Sequence, residues 1–357
     1  TFNSYRREIE RLIHWSALIE NKSISDITHH DLQNFISFCI SPPKQWIGTT
    51  KPARFINKEG KRVPNLKWRP FVATISKAKH KDGVQVELSD YHLGNGSIRE
   101  IFAILGSFYS YLVQEEYALS NPVARMKQKS KFISSSQTGH KIRRLSELQW
   151  QYVISKATQL ADLNPDLYER TLFIMSALYS MYLRISELAA SERHQPTMND
   201  FQRDNQENWW FTTIGKGNKE RQIAVSDSML QALRRWREHL GLSSLPTPAD
   251  QSPLLAKAKG QGAIKSVNYI RQVVQDCFDR ATEELERDGF NDDAEALKEA
   301  TVHWLRHTGI SDDVKIRPRE HVRDDAGHSS GAITDHYIDI ELHERHYSAK
   351  KKLINED

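Results

Sequence analysis

The stretch Met126–Lys141 (MKQKSKFISSSQTGHK) is rich in Lys and Ser and carries no apolar periodicity. Neither a helix nor a strand has a face to bury there. Apolar residues at helical spacing lie on both sides of it, and 357 residues exceed what one ordinary core accommodates. The break therefore predicts two domains, 1–130 and 142–357, joined by a linker at 131–141. Hydrophobic content is 38% and charged content 27%, which suits globular domains rather than a disordered or fibrous chain. No apolar run approaches the ~20 residues of a membrane helix, so no membrane partner is expected. The start, TFNSYRREIERLIHW, has no signal-peptide core and no initiator Met, which predicts a trimmed N-terminus. Cys39 and Cys277 lie within apolar patterns and read as buried, reduced thiols of a cytoplasmic protein.

The net charge of +4 conceals an asymmetry. Residues 1–140 hold 20 Lys+Arg against 12 Asp+Glu, and residues 141–357 hold 30 against 34. A basic first half points to a polyanion. Helical spacing is seen at 5–22, at 26–40 with Asp31 as the expected N-cap, and at 96–116, where Ser120-Asn121-Pro122-Val123 reads as a stop. Between them, 42–95 breaks the helical pattern. Within 51–81 ten basic residues face one acid, Glu59, with Phe55, Trp68 and Phe71 interleaved. That composition fits a phosphate backbone, and Lys58, Lys61, Arg62, Lys67, Arg69, Lys77 and Lys79 are candidate DNA contacts; a solvated basic loop is the competing reading. The second half predicts helices at about 146–162 (capped by Ser146), 166–182, 227–240 and 266–288. Strands at Trp209–Ile214 and Gln222–Val225 flank the turn GKGNKER. That turn lacks the spacing and the Ser/Thr of a nucleotide-binding loop.

The stretch 301–338, TVHWLRHTGISDDVKIRPREHVRDDAGHSSGAITDHYI, concentrates the chemistry. A helix sets His303, Arg306 and His307 on one face, and His328 and Tyr337 follow. Guanidinium, imidazole and phenol suit a phosphodiester: the first clamps oxygens, the second moves a proton, the third attacks phosphorus. Clustered carboxylates for a metal-dependent nuclease are missing from the stretch. His303 and His307 lack the glutamate of a zinc protease motif, so no metal is expected. One arginine and no acid for the leaving group leave this site incomplete. Arg184 in LRISEL stands among apolar residues, where an unpaired charge is costly; pairing with Glu187 is the bland explanation.

Taken together, L-R-I-S-E-L at Arg184, I-G-K-G-N-K-E-R-Q-I at Lys216, H-W-L-R-H at His303–His307, G-H-S-S at His328 and T-D-H-Y at Tyr337 resemble the tyrosine recombinase (phage integrase) family, in its motif order. The resemblance implies a mainly α fold with a small β-sheet. An α-helical core-binding domain, here with a basic insertion at about 42–95, and a mixed α/β catalytic domain would clamp duplex DNA as a C-shape. It implies Tyr337 as nucleophile forming a 3′-phosphotyrosyl link, Arg184 and Arg306 as phosphate clamps, and Lys216 as general acid. His303 and His328 would serve proton transfer and phosphate contact, with Glu187 orienting a neighbour. Tyr347 and Lys219 are the runners-up for nucleophile and acid, and His307 reads as structural. No cofactor is implied. Implied partners are specific recombination sites in duplex DNA, a homo-tetramer formed on DNA from a free monomer, and accessory DNA-bending or directionality proteins. The segment 341–353 is the candidate for docking on a neighbouring copy, and the implied location is cytoplasmic, at the bacterial nucleoid. The chain departs from the family pattern between Ile310 and Arg323, where Asp312-Asp313 and Lys315-Ile316-Arg317-Pro318 replace more apolar residues. Type IB topoisomerase chemistry and a non-catalytic DNA-binding protein of the same fold are the alternatives.

Overall fold

The computed structural model describes residues 2–126, 132, 143–192, 194–215, 217–328 and 350. It divides into two compact units, Thr1–Thr138 and Gly139–Asp357, each with its own apolar core.

In the first unit, α1 (Phe2–Trp15) buries Leu12, Trp15 and also Glu8. The buried carboxylate is tolerated because Arg7 and Arg11 both donate to it. Arg11 also donates to the Pro70 carbonyl at 2.9 Å and lies 4.6 Å over the Phe71 ring, which ties the helix to the strand region. Helix α2 (His29–Ile40) lies within the expected span 26–40, but its cap comes three residues before the expected one. Thr28, not Asp31, is the N-cap, and Asp31 is its capping-box partner, its carboxylate accepting from the Thr28 amide at 2.9 Å.

Short strands follow: β1 (Ile47–Gly48), β2 (Phe55–Lys58), β3 (Lys61–Pro64) and β4 (Phe71–Val72). β1 pairs in parallel with β4, and β2 with β3 as an antiparallel hairpin whose register sets Lys58 opposite Lys61. After α3 (Lys77–Lys81), α4 (Asn95–Gln114) packs Ile98, Ile101, Leu105 and Tyr109 into the core with Phe35, Ile36 and Cys39. The expected stop at Asn121 is also a start. Asn121 caps α5 (Pro122–Arg125), with Pro122 in the first turn, where its missing N–H costs nothing.

The second unit opens with α6 (Glu147–Leu163), capped by Ser146, and α7 (Pro165–Ser180). α7 ends two residues before the sequence expectation because Tyr182 turns into the left-handed region, φ 50°. Next come α8 (Ile185–Leu188) and an antiparallel sheet of β5 (Phe201–Arg203), β6 (Trp209–Ile214) and β7 (Glu220–Ala224), in that order. Helices α9 (Asp227–His239) and α10 (Val267–Arg287) complete the core. Phe173 stacks on Trp236 at 5.6 Å, and Val274, Cys277 and Phe278 pack with Val153 and Ala157.

Helices α11 (Asn291–Lys298), α12 (Val302–Asp313) and α13 (Arg319–Ala326) follow. The polar segment 310–323 is therefore ordered helix, turn and helix rather than an irregular excursion. α12 crosses the end of α7 at Gly309, where any Cβ would overlap the Tyr179 carbonyl oxygen, so only glycine allows this approach. Cys39 and Cys277 are both free and buried, and burial pushes the Cys277 thiol up to about 12, far from reactive thiolate chemistry. Among the described residues no helix is long and apolar enough to cross a membrane.

Candidate active site

Arg184 is the N-cap residue of α8, and Glu187 is one turn on. Glu187 is 2% exposed and its two oxygens are fully engaged. Oε2 accepts from the Arg184 backbone amide at 2.8 Å, and Oε1 from Arg184 Nη1 at 3.0 Å. Arg221 closes the other side with a two-pronged contact, Nη1 to Oε1 at 2.8 Å and Nη2 to Oε2 at 2.9 Å. Burial alone would raise the Glu187 pKa. The bonds from Arg221 and Arg184 outweigh it and hold the carboxyl below the usual carboxylate range. One buried carboxylate thus spaces two guanidiniums. The end of β6 closes over them: a Cβ on Gly215 would come within 3.3 Å of Glu187 Oε1 and 3.6 Å of Arg184 Nη1. A cleft lined by Arg184, Glu187, Gly215, Asn218 and Lys265 opens there.

Arg221 was not among the residues expected from the sequence, which drew attention only to the lysines of its hairpin. The usable signal was strand parity. In β7, alternate residues share a face, and Arg221 stands two before the buried Ile223.

Arg306 reaches the same region from α12 and is 4% exposed. Its Nη2 donates to the Ala326 carbonyl at 2.6 Å and its Nη1 to the Tyr182 carbonyl. The last turn of α13 in fact receives two arginines, because Arg221 Nε donates to the Asp325 carbonyl at 3.0 Å. Carbonyls at a helix C-terminus carry the negative end of the dipole, so guanidiniums are favoured there. Gly327, at φ 65°, ends α13 in a left-handed turn and delivers His328.

The helix face expected for His303, Arg306 and His307 is present, with the two imidazole rings 6.1 Å apart. The cationic field is registered by these rings. His328 is pushed down to about 4, first by burial and then by Arg306, Arg184 and Arg221. His307 is pushed down to about 4 by burial, His303 and Arg306. His303 is lowered by burial, then by Arg306, Arg184 and Arg271 of α10. Three guanidiniums, two of them spaced by one carboxylate and the third held by backbone carbonyls, suit an anion with several oxygens, and a neutral imidazole is competent to take or pass a proton.

Lys216 and Tyr337 lie outside the described residues, as do Tyr347 and, apart from Lys350, the segment 341–353. Lys219 is exposed, and its carbonyl closes the β6–β7 turn on the Gly215 amide at 2.8 Å. Among the described residues, no group of three or more His, Cys, Asp or Glu is placed to hold a metal ion.

In the first unit, the structure collects Lys58, Lys61 and Arg62 on the β2–β3 hairpin, all exposed, with Arg62 4.3 Å over the Phe55 ring. The hairpin is fixed at its base: Asn65 donates to the Ala53 carbonyl at 2.7 Å, and Arg54 pairs with Glu10 and covers the Trp68 ring at 5.0 Å. Lys67 and Arg69 follow in the next loop, where Arg69 Nη1 donates to the Leu66 and Trp68 carbonyls at 2.7 and 2.8 Å. Lys77 and Lys79 lie on α3.

Residues 143–344 match the sequence model of the phage integrase family. The tyrosine recombinase XerC of Actinobacillus pleuropneumoniae serotype 7 (strain AP76) is 28% identical over 186 residues, covering 50% of this chain and 52% of that protein. XerC of Haemophilus ducreyi is 26% identical over 181 residues, with 50% and 52% covered. The chain spans about half the length of the curated relatives it matches. In fold it is similar to the XerH site-specific recombinase bound to palindromic difH substrate, with a TM-score of 0.58 at 15% identity over 98% of this chain and 79% of that one. It is also similar to the Tn1549 transposon integrase in complex with transposon right end DNA, with a TM-score of 0.52 at 13% identity over 98% and 94%.

The histidine shifts set a pH dependence. Imidazoles titrate near 6.5 in an unfolded chain. His328 and His307 protonate only near pH 4 when folded. Between these values the unfolded chain binds more protons, so their contribution to stability is fully present above pH 6.5 and declines as pH falls toward 4. An NMR titration of ring protons is expected to place His328 below pH 5 in the free protein, and to move it upward when a short duplex supplies phosphate. A His328 midpoint near 6.5 without DNA would contradict the cationic site.

Proposed function

The chain belongs to the phage integrase family, and on that premise we propose that it is a tyrosine site-specific recombinase that cleaves and rejoins duplex DNA. The observation that carries the reading is that Arg184 and Arg221 share one buried carboxylate while Arg306, held by backbone carbonyls, acts with Arg184 on the His303 and His328 rings. A phosphodiester under attack gains negative charge on its non-bridging oxygens, and guanidiniums already fixed in place stabilise that charge without reorganising.

In this reading Arg184 and Arg306 clamp the oxygens. Arg221, whose guanidinium is occupied by Glu187 and the Asp325 carbonyl, orients Glu187 and adds to the field. The Tyr337 oxygen bonds to phosphorus as the bond to the 5′-oxygen breaks. The Tyr337 proton passes to His303 or a neighbouring base, and Lys216 donates a proton to the departing 5′-oxygen, leaving a 3′-phosphotyrosyl link and a 5′-hydroxyl. The energy of the phosphodiester is conserved in the link, so rejoining needs no cofactor. Exchange between two duplexes involves four strands, which fits a tetramer with one nucleophile per copy. Integration or excision of a mobile element is the reaction most in keeping with the likeness to a transposon integrase.

The β2–β3 hairpin serves this function as a backbone contact. Like charges directly opposite on paired strands repel, and Lys58 faces Lys61 at the exposed tip. A phosphate backbone alongside relieves that repulsion.

On a nicked suicide duplex carrying the element's end sequence, the wild-type chain is expected to be trapped covalently, and Tyr337→Phe to bind but not be trapped. A persistent adduct in the variant would assign the nucleophile elsewhere. Replacing Lys58, Lys61 and Arg62 together by Ala is expected to flatten the salt dependence of DNA binding by about two to three units of slope. An unchanged slope would leave the hairpin solvated and without a role in binding.

A further inference from the structure

Asp313 ends α12, Asp325 lies in the last turn of α13, and Arg317 sits in the turn between them. Asp313 and Arg317 belong to the polar stretch 310–323, and with Asp325 they form one connected cluster. Arg317 Nη1 donates to the Tyr182 hydroxyl at 3.0 Å and to Asp313 Oδ2 at 3.1 Å, and Nη2 donates to Asp325 Oδ2 at 2.6 Å. The Tyr182 hydroxyl also donates to Asp313. The other oxygen of Asp325, Oδ1, accepts from the Ala224 amide at the end of β7 at 3.2 Å.

Two members of the cluster, Tyr182 and Asp325, also hold an arginine of the site through their own backbone carbonyls. Tyr182 binds Arg317 through its phenol and Arg306 through its carbonyl. Asp325 binds Arg317 through its carboxylate and Arg221 through its carbonyl. The next residue, Ala326, gives its carbonyl to Arg306 at 2.6 Å. Tyr182 is 1% exposed at φ 50°. A bulky side chain rarely adopts that conformation, so its surroundings must impose it. Two residues later comes Arg184. The carbonyl that aims Arg306 is thus set by a strained residue whose far end is held by Arg317.

We propose that Arg317 is a positioning residue for DNA cleavage: by tying Tyr182 and Asp313 to Asp325, it fixes the carbonyls of Tyr182 and Ala326 that aim the Arg306 guanidinium. The role rests on the recombinase reading above. It is separable from folding, because Tyr182, Ile310, Val322 and Ala326 pack as an apolar cluster that holds α12 against α13. Arg317 itself keeps 28% side-chain exposure.

The test compares wild type with Arg317→Met, Arg317→Lys and Tyr182→Phe on the nicked suicide duplex in single turnover at saturating protein. The amplitude of covalent product counts folded, competent protein, and the rate reports the geometry of the site. Loosening a clamp by about an ångström is expected to slow cleavage by roughly 30-fold in Arg317→Met, since misplacement of that size costs up to about a hundredfold. Amplitude and DNA affinity are expected to stay at the wild-type level. Arg317→Lys is expected to recover part of the rate, because an ammonium reaches one carboxylate but lacks the fork for two. Tyr182→Phe, which keeps the ring and the carbonyl, is expected to fall between wild type and Arg317→Met. An unchanged rate in Arg317→Met, or a reduced amplitude at unchanged rate, would overturn the positioning role while leaving the recombinase reading intact. A wild-type chain that forms no adduct would overturn both.

Discussion

The second unit is organised around one buried carboxylate. Glu187, 2% exposed, is bound by Arg184 from its own helical turn and by Arg221 from β7. Breaking a buried pair by removing one partner costs about 3–5 kcal/mol, because the other charge is left uncompensated. Here two cations would be left. The carboxylate fixes how far apart the guanidiniums stand, and the strand end closes over them at Gly215, where a Cβ would crowd Arg221 Nη1 at 3.1 Å. Two positive charges against one negative leave the assembly cationic, and His328 is lowered first by burial and then by Arg306, Arg184 and Arg221. In the proposed reading, an anionic substrate completes the balance.

The opposite wall is made of backbone rather than carboxylate. Arg306 is held by carbonyls of Tyr182 and Ala326, one at the left-handed end of α7 and one at the C-terminus of α13. A carbonyl orients a guanidinium without cancelling its charge, so the contact preserves the attraction for phosphate. The arrangement requires α7, α12 and α13 to meet closely, which Gly309 permits and the Arg317 cluster stabilises. Fold and chemistry are joined here: the helix ends that build the core also aim the site.

Much of this was legible in the residues, for identifiable reasons. His303, Arg306 and His307 follow helical spacing, and Arg184 announced itself as a charge in an apolar run. Ser146 had an unambiguous capping pattern, whereas Thr28 was passed over for Asp31 because a capping box offers two polar candidates three residues apart. Arg221 was hidden by two lysines in a basic turn, although strand parity beside Ile223 marks it as inward-facing. The segment 310–323 read as a misfit because its stabilisation is tertiary: Asp313, Arg317 and Asp325 look solvent-bound in sequence and find one another only when the helices pack. The β2–β3 hairpin was likewise obscured, its register resting on pairing across a turn rather than on an apolar pattern.

In the proposed reading, the arginines spaced by Glu187 and those aimed by α13 form one phosphate site. A structure of the Tyr337→Phe protein on a nicked duplex tests it most directly. The scissile phosphate is expected with its non-bridging oxygens about 3 Å from guanidinium nitrogens of Arg184 and Arg306, and with His303 and His328 alongside. A scissile phosphate seated elsewhere on the protein, with this cluster facing only solvent, would contradict it.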